Sequence, residues 1–201
     1  MPPVALTIAG SDPSGGAGLQ ADLKTFHQFG VYGEAVVTLL TVQNTLAVQR
    51  VECLPAGLVL EQLRAVLEDI PPRAAKTGAL GNREIVEAVA AAAATFDFPL
   101  VVDPVMLSKH GAALVAEDAR EAMARLLVPR AFLVTPNLGE ASVLAGLPIR
   151  EASDMRRAAE RIRELGAHAV LVKGGHLPEA ATDLLFLEGR FVEFPEARIQ
   201  T

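Results

Sequence analysis

The 201-residue sequence contains one cysteine, Cys53, no tryptophan and a single tyrosine. A lone thiol excludes a disulfide framework and any cysteine-rich metal site, and with nothing near it to activate the sulfur, Cys53 reads as a small apolar filler. No apolar run approaches the ~18 residues of a membrane span. The N-terminus also lacks the basic and apolar regions of a signal peptide, so a reducing cytoplasm is the expected compartment. Positive charge is not in excess: 18 Lys and Arg against 24 Asp and Glu give a net charge of -6. That balance argues against nucleic acid as a main partner, since gripping a phosphate backbone needs a basic face. It leaves a small anionic ligand open, because such a ligand responds only to local charge. No G-x-x-x-x-G-K-[ST] occurs, which excludes a P-loop, and without an S-x-x-K the Lys76-Thr77-Gly78 triplet is not a β-lactamase motif. No linker, composition shift or internal repeat divides the chain. Residues 1–201 therefore read as one domain, large enough to bury about 70% of its unfolded surface.

What is present is aliphatic and alternating. Hydrophobic residues make up 51% of the chain and aromatics only 4%. The stretch from Val4 to Gly30 sets the pattern. Val4 to Ala9 reads as a buried strand, 10–18 is a loop dense in glycine, and Leu19, Leu23, Phe26 and Phe29 recur at the spacing of one helical face. Strand, glycine loop and helix bring backbone N–H groups and a helix N-terminus toward an anion or small polar ligand. Gly16 to Ala21 also fits the dinucleotide pattern G-x-G-x-x-A, but that pattern wants an acid after the second strand, where Gln43-Asn44 stands. A glycine turn serving only helix–strand packing is the plainer reading.

Further strands are expected over 34–42, 51–54, 73–76, 99–103, 132–135 and 169–172, with a hairpin of 183–187 and 191–194 about Glu188-Gly189-Arg190. Helices are expected around Leu60–Leu67, Ile85–Ala94, after Glu117-Asp118 until Pro129, from Asn137, whose spacing to Glu140 is that of a capping box, and from Ser153 to Gly166. This alternation predicts an α/β fold with a mostly parallel sheet, helices on both faces and an antiparallel edge hairpin.

In such a sheet the C-terminal strand ends share one rim, where ligands bind. The rim carries Gly10-Ser11-Asp12, Gln43-Asn44, Lys76-Thr77-Gly78, Asp103, Asn137 with Glu140, and Lys173-Gly174-Gly175. Lysines and glycine amides suit phosphate oxygens. Carboxylates without a histidine cluster suit Mg²⁺, so the inventory is one of phosphoryl transfer. Blander readings stand beside these. Glu140 also reads as only the partner of the Asn137 cap, Lys76 and Lys173 as solvated strand ends, Asp103 as a turn residue, Gln43 and Asn44 as loop-backbone partners, and His110 as a loop residue rather than a base.

The segments AGSDPSGGAGLQADLKTF, VQNT, KTGAL, VVDPVMLSKHG, TPNLGEA and VLVKGGH occur in this order. Together they resemble the hydroxymethylpyrimidine/phosphomethylpyrimidine kinases of thiamin biosynthesis, in the ribokinase-like superfamily, over 4–201. The resemblance implies a three-layer α/β/α fold, a homodimer, ATP and Mg²⁺. It also implies phosphorylation of 4-amino-5-hydroxymethyl-2-methylpyrimidine and then of its monophosphate. By resemblance, Asp22 and Gln43 would hold the aminopyrimidine, while Gly10, Ala17, Ala79 and Val105 would shape its pocket. Asp103 and Glu140 would serve the Mg²⁺–phosphate side, directly or through water, with Lys173 near the ATP phosphates, and 107–112 would be a closing flap.

Two departures stand out. The family more often has Met where Ala79 stands, implying a looser pocket. Its members also continue into a G-T-G-C motif that supplies an anion hole and a cysteine proposed to assist deprotonation of the substrate hydroxyl, together with further helices, whereas this sequence stops at Thr201. A chain ending there is expected to turn over little and to leave one sheet face poorly covered. The competing readings are a pyridoxal kinase-like enzyme and a non-catalytic pyrimidine-binding protein.

Overall fold

The computed structural model describes residues 2–106, 116–175 and 181–196. In chain order the elements are β1 (Val4–Ser11), α1 (Gly18–Gln28), β2 (Tyr32–Gln43), β3 (Val48–Cys53), α2 (Ala56–Asp69), β4 (Ala74–Thr77), α3 (Arg83–Ala93) and β5 (Leu100–Val102). Then come α4 (Glu117–Ala122), β6 (Leu133–Val134), α5 (Leu138–Ala145), α6 (Ala152–Glu164), β7 (Ala169–Val172), β8 (Ala181–Leu187) and β9 (Arg190–Glu196). α4 runs on through a π-helical turn, Met123–Leu127, into a 3-10 turn, Val128–Arg130, where Pro129 ends it.

All strands of the described residues join one nine-stranded sheet in the order β3-β2-β1-β4-β5-β6-β7-β8-β9. From β2 through β7 the spatial neighbours run parallel, and β3, β8 and β9 are antiparallel. The chain leaves β1 toward one side to make β2 and returns to its other side to make β4. β1 is therefore the switch point, where the two neighbouring connections part and open a crevice.

The sheet is antiparallel at both ends, not only at the hairpin anticipated near the C-terminus. β3 starts earlier than the expected 51–54, because Asn44 folds a tight turn. Its Oδ1 accepts from the Leu46 and Ala47 amides at 2.9 and 3.0 Å, and β3 returns antiparallel on β2. An edge strand with Gln49, Arg50 and Glu52 exposed carries too weak an apolar pattern to announce itself. Glu188 and Gly189, at φ 51° and 75°, form the two-residue turn between β8 and β9.

The helices are shared unequally between the faces. α1 packs on β1 and β2. One continuous apolar cluster takes residues from α2, α3, α4 and its continuation, α5 and α6, together with alternate strand residues such as Leu6, Ile8, Ala75, Val102, Val134 and Val170. Their strand neighbours Val101, Leu133 and Leu171 point the other way and stay half-buried. Within α1, Leu19 is buried and Leu23 and Phe26 are half-buried. Phe29 departs from the expected stripe: it is the C-cap and is 79% exposed, since the helix ends before that turn completes.

Candidate active site

The crevice beside β1 holds a cavity of about 330 Å³. Gly10, Ala17, Asp22, Gln43, Ala79, Asp103 and Val105 all line it, together with Lys76, Leu39 and Thr41. Seven residues scattered over nearly half of the chain thus converge, because each follows or faces a strand end at the switch point.

The glycine loop supplies the floor, though not in the manner expected. Its amides do not face an external anion. The Asp12 carboxylate, buried with its residue 4% exposed, accepts from the Ser14 amide (2.9 Å), the Ser14 hydroxyl (2.7 Å), the Gly16 amide (3.2 Å) and the Ala17 amide (2.9 Å). Burial alone would raise the Asp12 pKa. The Ser14 hydroxyl and the Ser14, Ala17 and Gly16 amides outweigh it, and the carboxyl titrates below its usual range. The loop carries its own anion. Gly18 lets α1 start against it: its φ is +57°, and a Cβ there would lie 2.3 Å from the Gly10 carbonyl oxygen. Gln20 completes the lacing, accepting from the Asp12 amide and donating to Ser11 Oγ.

Asp22, in the second turn of α1, is bound to the sheet. Lys76 Nζ donates to its Oδ1 at 3.0 Å and its Oδ2 at 2.9 Å, and Thr7 Oγ1 donates to Oδ2 at 2.7 Å. Lys76 is therefore neither the free phosphate cation nor the solvated strand end that the sequence allowed. Gln43 and Asn44 part company: Asn44 serves its turn, while the half-buried Gln43 side chain makes no hydrogen bond to the described residues and lines the cavity.

At the other end, Asp103 Oδ1 accepts from Lys173 Nζ at 3.1 Å. Glu140 lies beside this pair, only 5% exposed. It does complete a capping box: Asn137 Oδ1 accepts from the Glu140 amide, and Glu140 Oε2 accepts from the Asn137 amide, both at 2.9 Å. Desolvation, and secondarily the Asp103 charge, push its carboxyl up, against partial relief from the Asn137 amide and Lys173. The cap is pinned to β7 by the bridge between Asn137 and Lys173. Glu140 and Lys173 do not line the cavity itself; they reach it through Asp103. Past Lys173, the Gly174 amide donates to Asp183 Oδ1 at 2.9 Å. His110 and the proposed flap over 107–112 lie outside the described residues.

Sequence reasoning missed Thr7, which gave no signal within an apolar strand, and the partnership of Lys76 with Asp22, separated by 54 positions. It also missed Asp12 as the ligand of its own loop, although an acid two to five residues before the amides of a glycine loop is the cue that would have found it.

A doubly wound sheet with a mostly apolar cavity bearing a few polar groups at its switch point, and a carboxylate–lysine cluster adjoining it, defines an α/β enzyme acting on a small molecule. Residues 12–201 match the family model described as Phosphomethylpyrimidine kinase. The chain belongs to that family and is a phosphotransferase. It is 48% identical over 203 residues to the hydroxymethylpyrimidine/phosphomethylpyrimidine kinase of Rhizobium meliloti (strain 1021), covering 100% of this chain and 76% of that protein. Among solved structures, the phosphomethylpyrimidine kinase (thiD) from Clostridium difficile 630 superimposes with a TM-score of 0.89 at 45% identity, covering 96% of this chain and 84% of that one. The pyridoxal kinase from Staphylococcus aureus in complex with AMP-PCP and pyridoxal gives a TM-score of 0.90 at 36% identity, covering 100% of this chain and 74% of that one.

Proposed function

We propose that the protein transfers a phosphoryl group from ATP to the hydroxymethyl oxygen of 4-amino-5-hydroxymethyl-2-methylpyrimidine, and then phosphorylates the monophosphate to the diphosphate, in thiamin biosynthesis. One observation carries this reading beyond family membership. A single cavity presents an amide (Gln43) and a carboxylate (Asp22) within the same walls as Asp103, whose other side meets Lys173 and Glu140. An amide and a carboxylate together complement an aminopyrimidine edge, which offers an N–H donor beside a ring-nitrogen acceptor. Gly10, Ala17, Ala79 and Val105 form the walls around the ring. Lys173 and Asp103 face the phosphates, so the reacting oxygen and the γ-phosphorus are brought together by positioning.

The donor set fits Mg²⁺ in particular. The available side-chain ligands are oxygens, from Asp103 and Glu140, and among the described residues no cluster of three or more His, Cys, Asp or Glu exists to cage a metal. Mg²⁺ is held this way, through one or two carboxylates with waters and substrate phosphates making up the shell. Bound there, it would neutralise charge on the transferring group. Asp103 and Glu140, the latter with one oxygen committed to the Asn137 amide, would hold it directly or through water. We further propose a cytoplasmic homodimer. Among the described residues no helix is long and apolar enough to cross a membrane.

The likeness to a pyridoxal kinase favours one second reading, phosphorylation of a pyridine carbinol, and Ala79 in place of a bulkier side chain leaves room for such a ring. Mass-spectrometric product detection with the full native polypeptide, Mg-ATP and each substrate in turn separates the two. Mono- and diphosphorylated pyrimidine is the expected result; phosphorylated pyridoxal with unchanged pyrimidine would replace the substrate.

A further inference from the structure

Among the described residues Lys76 is the one cation that lines the cavity, and its sequence context suggested a phosphate ligand, yet its geometry gives it a different task. β1 and β4 run parallel with Thr7 opposite Lys76, and both side chains reach the same carboxylate on α1. A carboxylate offers about four acceptor positions, two on each oxygen. At Asp22, Oδ2 is filled twice, by Lys76 and Thr7, and Oδ1 once, by Lys76. Among the described residues one position remains, on Oδ1, in a side chain only 16% exposed that lines the cavity. Three elements of the fold are thereby spent on leaving a single acceptor for a ligand.

Resting on the pyrimidine reading above, we infer that Lys76 is a specificity-determining positioning residue: with Thr7 it fixes Asp22 as a one-site acceptor, so that the cavity selects a ring bearing an amino N–H and rejects the same ring bearing an oxo group there. An oxo oxygen would face a carboxylate with no hydrogen between them. The Gln43 amide cannot make this choice, because it can turn to present either its donor or its acceptor. Lys76 touches the ring's partner rather than the reacting atoms, so its effect belongs in ring affinity and KM, not in kcat.

The test is calorimetric binding and steady-state kinetics with two probes, 4-amino-5-hydroxymethyl-2-methylpyrimidine and its 4-oxo analogue. The proteins are the wild type and the variants Lys76→Met, Lys76→Arg and Asp22→Asn, each checked by melting temperature. The wild type should favour the amino ring by about 10- to 100-fold, the range of one hydrogen bond to a charged group. Lys76→Met leaves the Asp22 carboxylate held by Thr7 alone and free to turn from the ring, and should lower that ratio at least about threefold, raising KM for the pyrimidine while KM for ATP holds. Lys76→Arg, which keeps a cationic donor, should restore much of the ratio. Asp22→Asn supplies an independent arm should Lys76→Met fail to fold. With Lys76 holding the carbonyl of the new amide, its NH₂ faces the cavity, and the preference should invert toward the oxo ring.

An unchanged amino preference in Lys76→Met, or in Asp22→Asn, would overturn the inference. So would a loss in Lys76→Met confined to the monophosphate substrate, which would return Lys76 to phosphate binding. Failure of the wild type to bind either ring is a different result: it would take down the substrate reading, and this inference with it.

Discussion

Asp12 and Glu140 show how one type of group is put to opposite uses within one site. Asp12 is surrounded by donors and held below its usual range. Glu140 is buried beside Asp103 and pushed above it, with Asn137 and Lys173 offsetting only part of the cost. Glu140 therefore combines a structural bond and a charge that is costly to keep at neutral pH, and the two can be separated by substitution. Glu140→Gln retains an oxygen to accept from the Asn137 amide and removes the charge, so its melting temperature at pH 7.5 should equal or exceed that of the wild type. Glu140→Ala orphans the Asn137 amide and should cost about 1–2 kcal/mol. If the carboxylate serves the phosphate side, both variants should lose at least about tenfold in kcat. Full turnover by Glu140→Gln would show that Glu140 is a helix cap and nothing more.

At the scale of elements, the site depends on turns that leave no slack. The turn after β7 passes so close to β8 that a Cβ on Gly174 would sit 1.9 Å from the Thr182 carbonyl oxygen. Backbone, not a flexible side chain, would have to give way. Gly174→Ala should thus destabilise the protein by about 2–3 kcal/mol in denaturant titration and displace the Gly174 amide from Asp183, weakening ATP binding more than pyrimidine binding. Equal weakening of both ligands would show that the turn acts through global stability alone. β2 shows the opposite device, an irregularity that is repaired. Its pairing with β1 slips between Ala9 and Ser11, and Gln62 from α2 stands in for a strand there, accepting from the Val37 amide at 3.0 Å and donating to the Val37 carbonyl at 3.1 Å. On β2 the slip falls between Val37 and Leu40, so it includes Leu39 and directly precedes Thr41 and Gln43, the other β2 residues that line the cavity.

For the whole molecule, the shifted carboxyls set a pH window. Glu34, at the far end of β2 from the site, is 8% exposed, and its Oε2 has no partner among the described residues; desolvation, then the Asp69 charge, raise its pKa above 4.5. A raised native value means that the folded state holds the proton more tightly. The stability from Glu34 and Glu140 is thus complete below about pH 4.5 and is lost as pH rises through their native values. Asp12 has the reverse sign: its contribution is present above about pH 3.8 and is lost as pH falls through its lowered native value. From these groups stability should accordingly be greatest between about pH 3.8 and 4.5 and decline toward pH 7.5. Glu34→Gln should flatten that decline and raise the melting temperature at pH 7.5, and a wild-type profile still rising above pH 6 would contradict the assignment.

The sequence determined on its own what depends on local order. The apolar runs and glycine punctuation specify the strand–helix alternation, and Asn137 with Glu140 specifies a cap. The ordered motifs point to the kinase family and nominate Asp22, Gln43, Asp103 and Lys173. Only the tertiary structure decided what those groups face. It turned the glycine loop inward on Asp12, gave Asn44 to a turn and Gln43 to the cavity, and tied Lys76 to Asp22 and Lys173 to Asp103. The reason is physical: periodicity records which side of an element is buried, whereas a hydrogen-bond partner 54 or 70 positions away is chosen by strand order and register. Those come from summed packing over the whole sheet, and no short stretch of chain carries them.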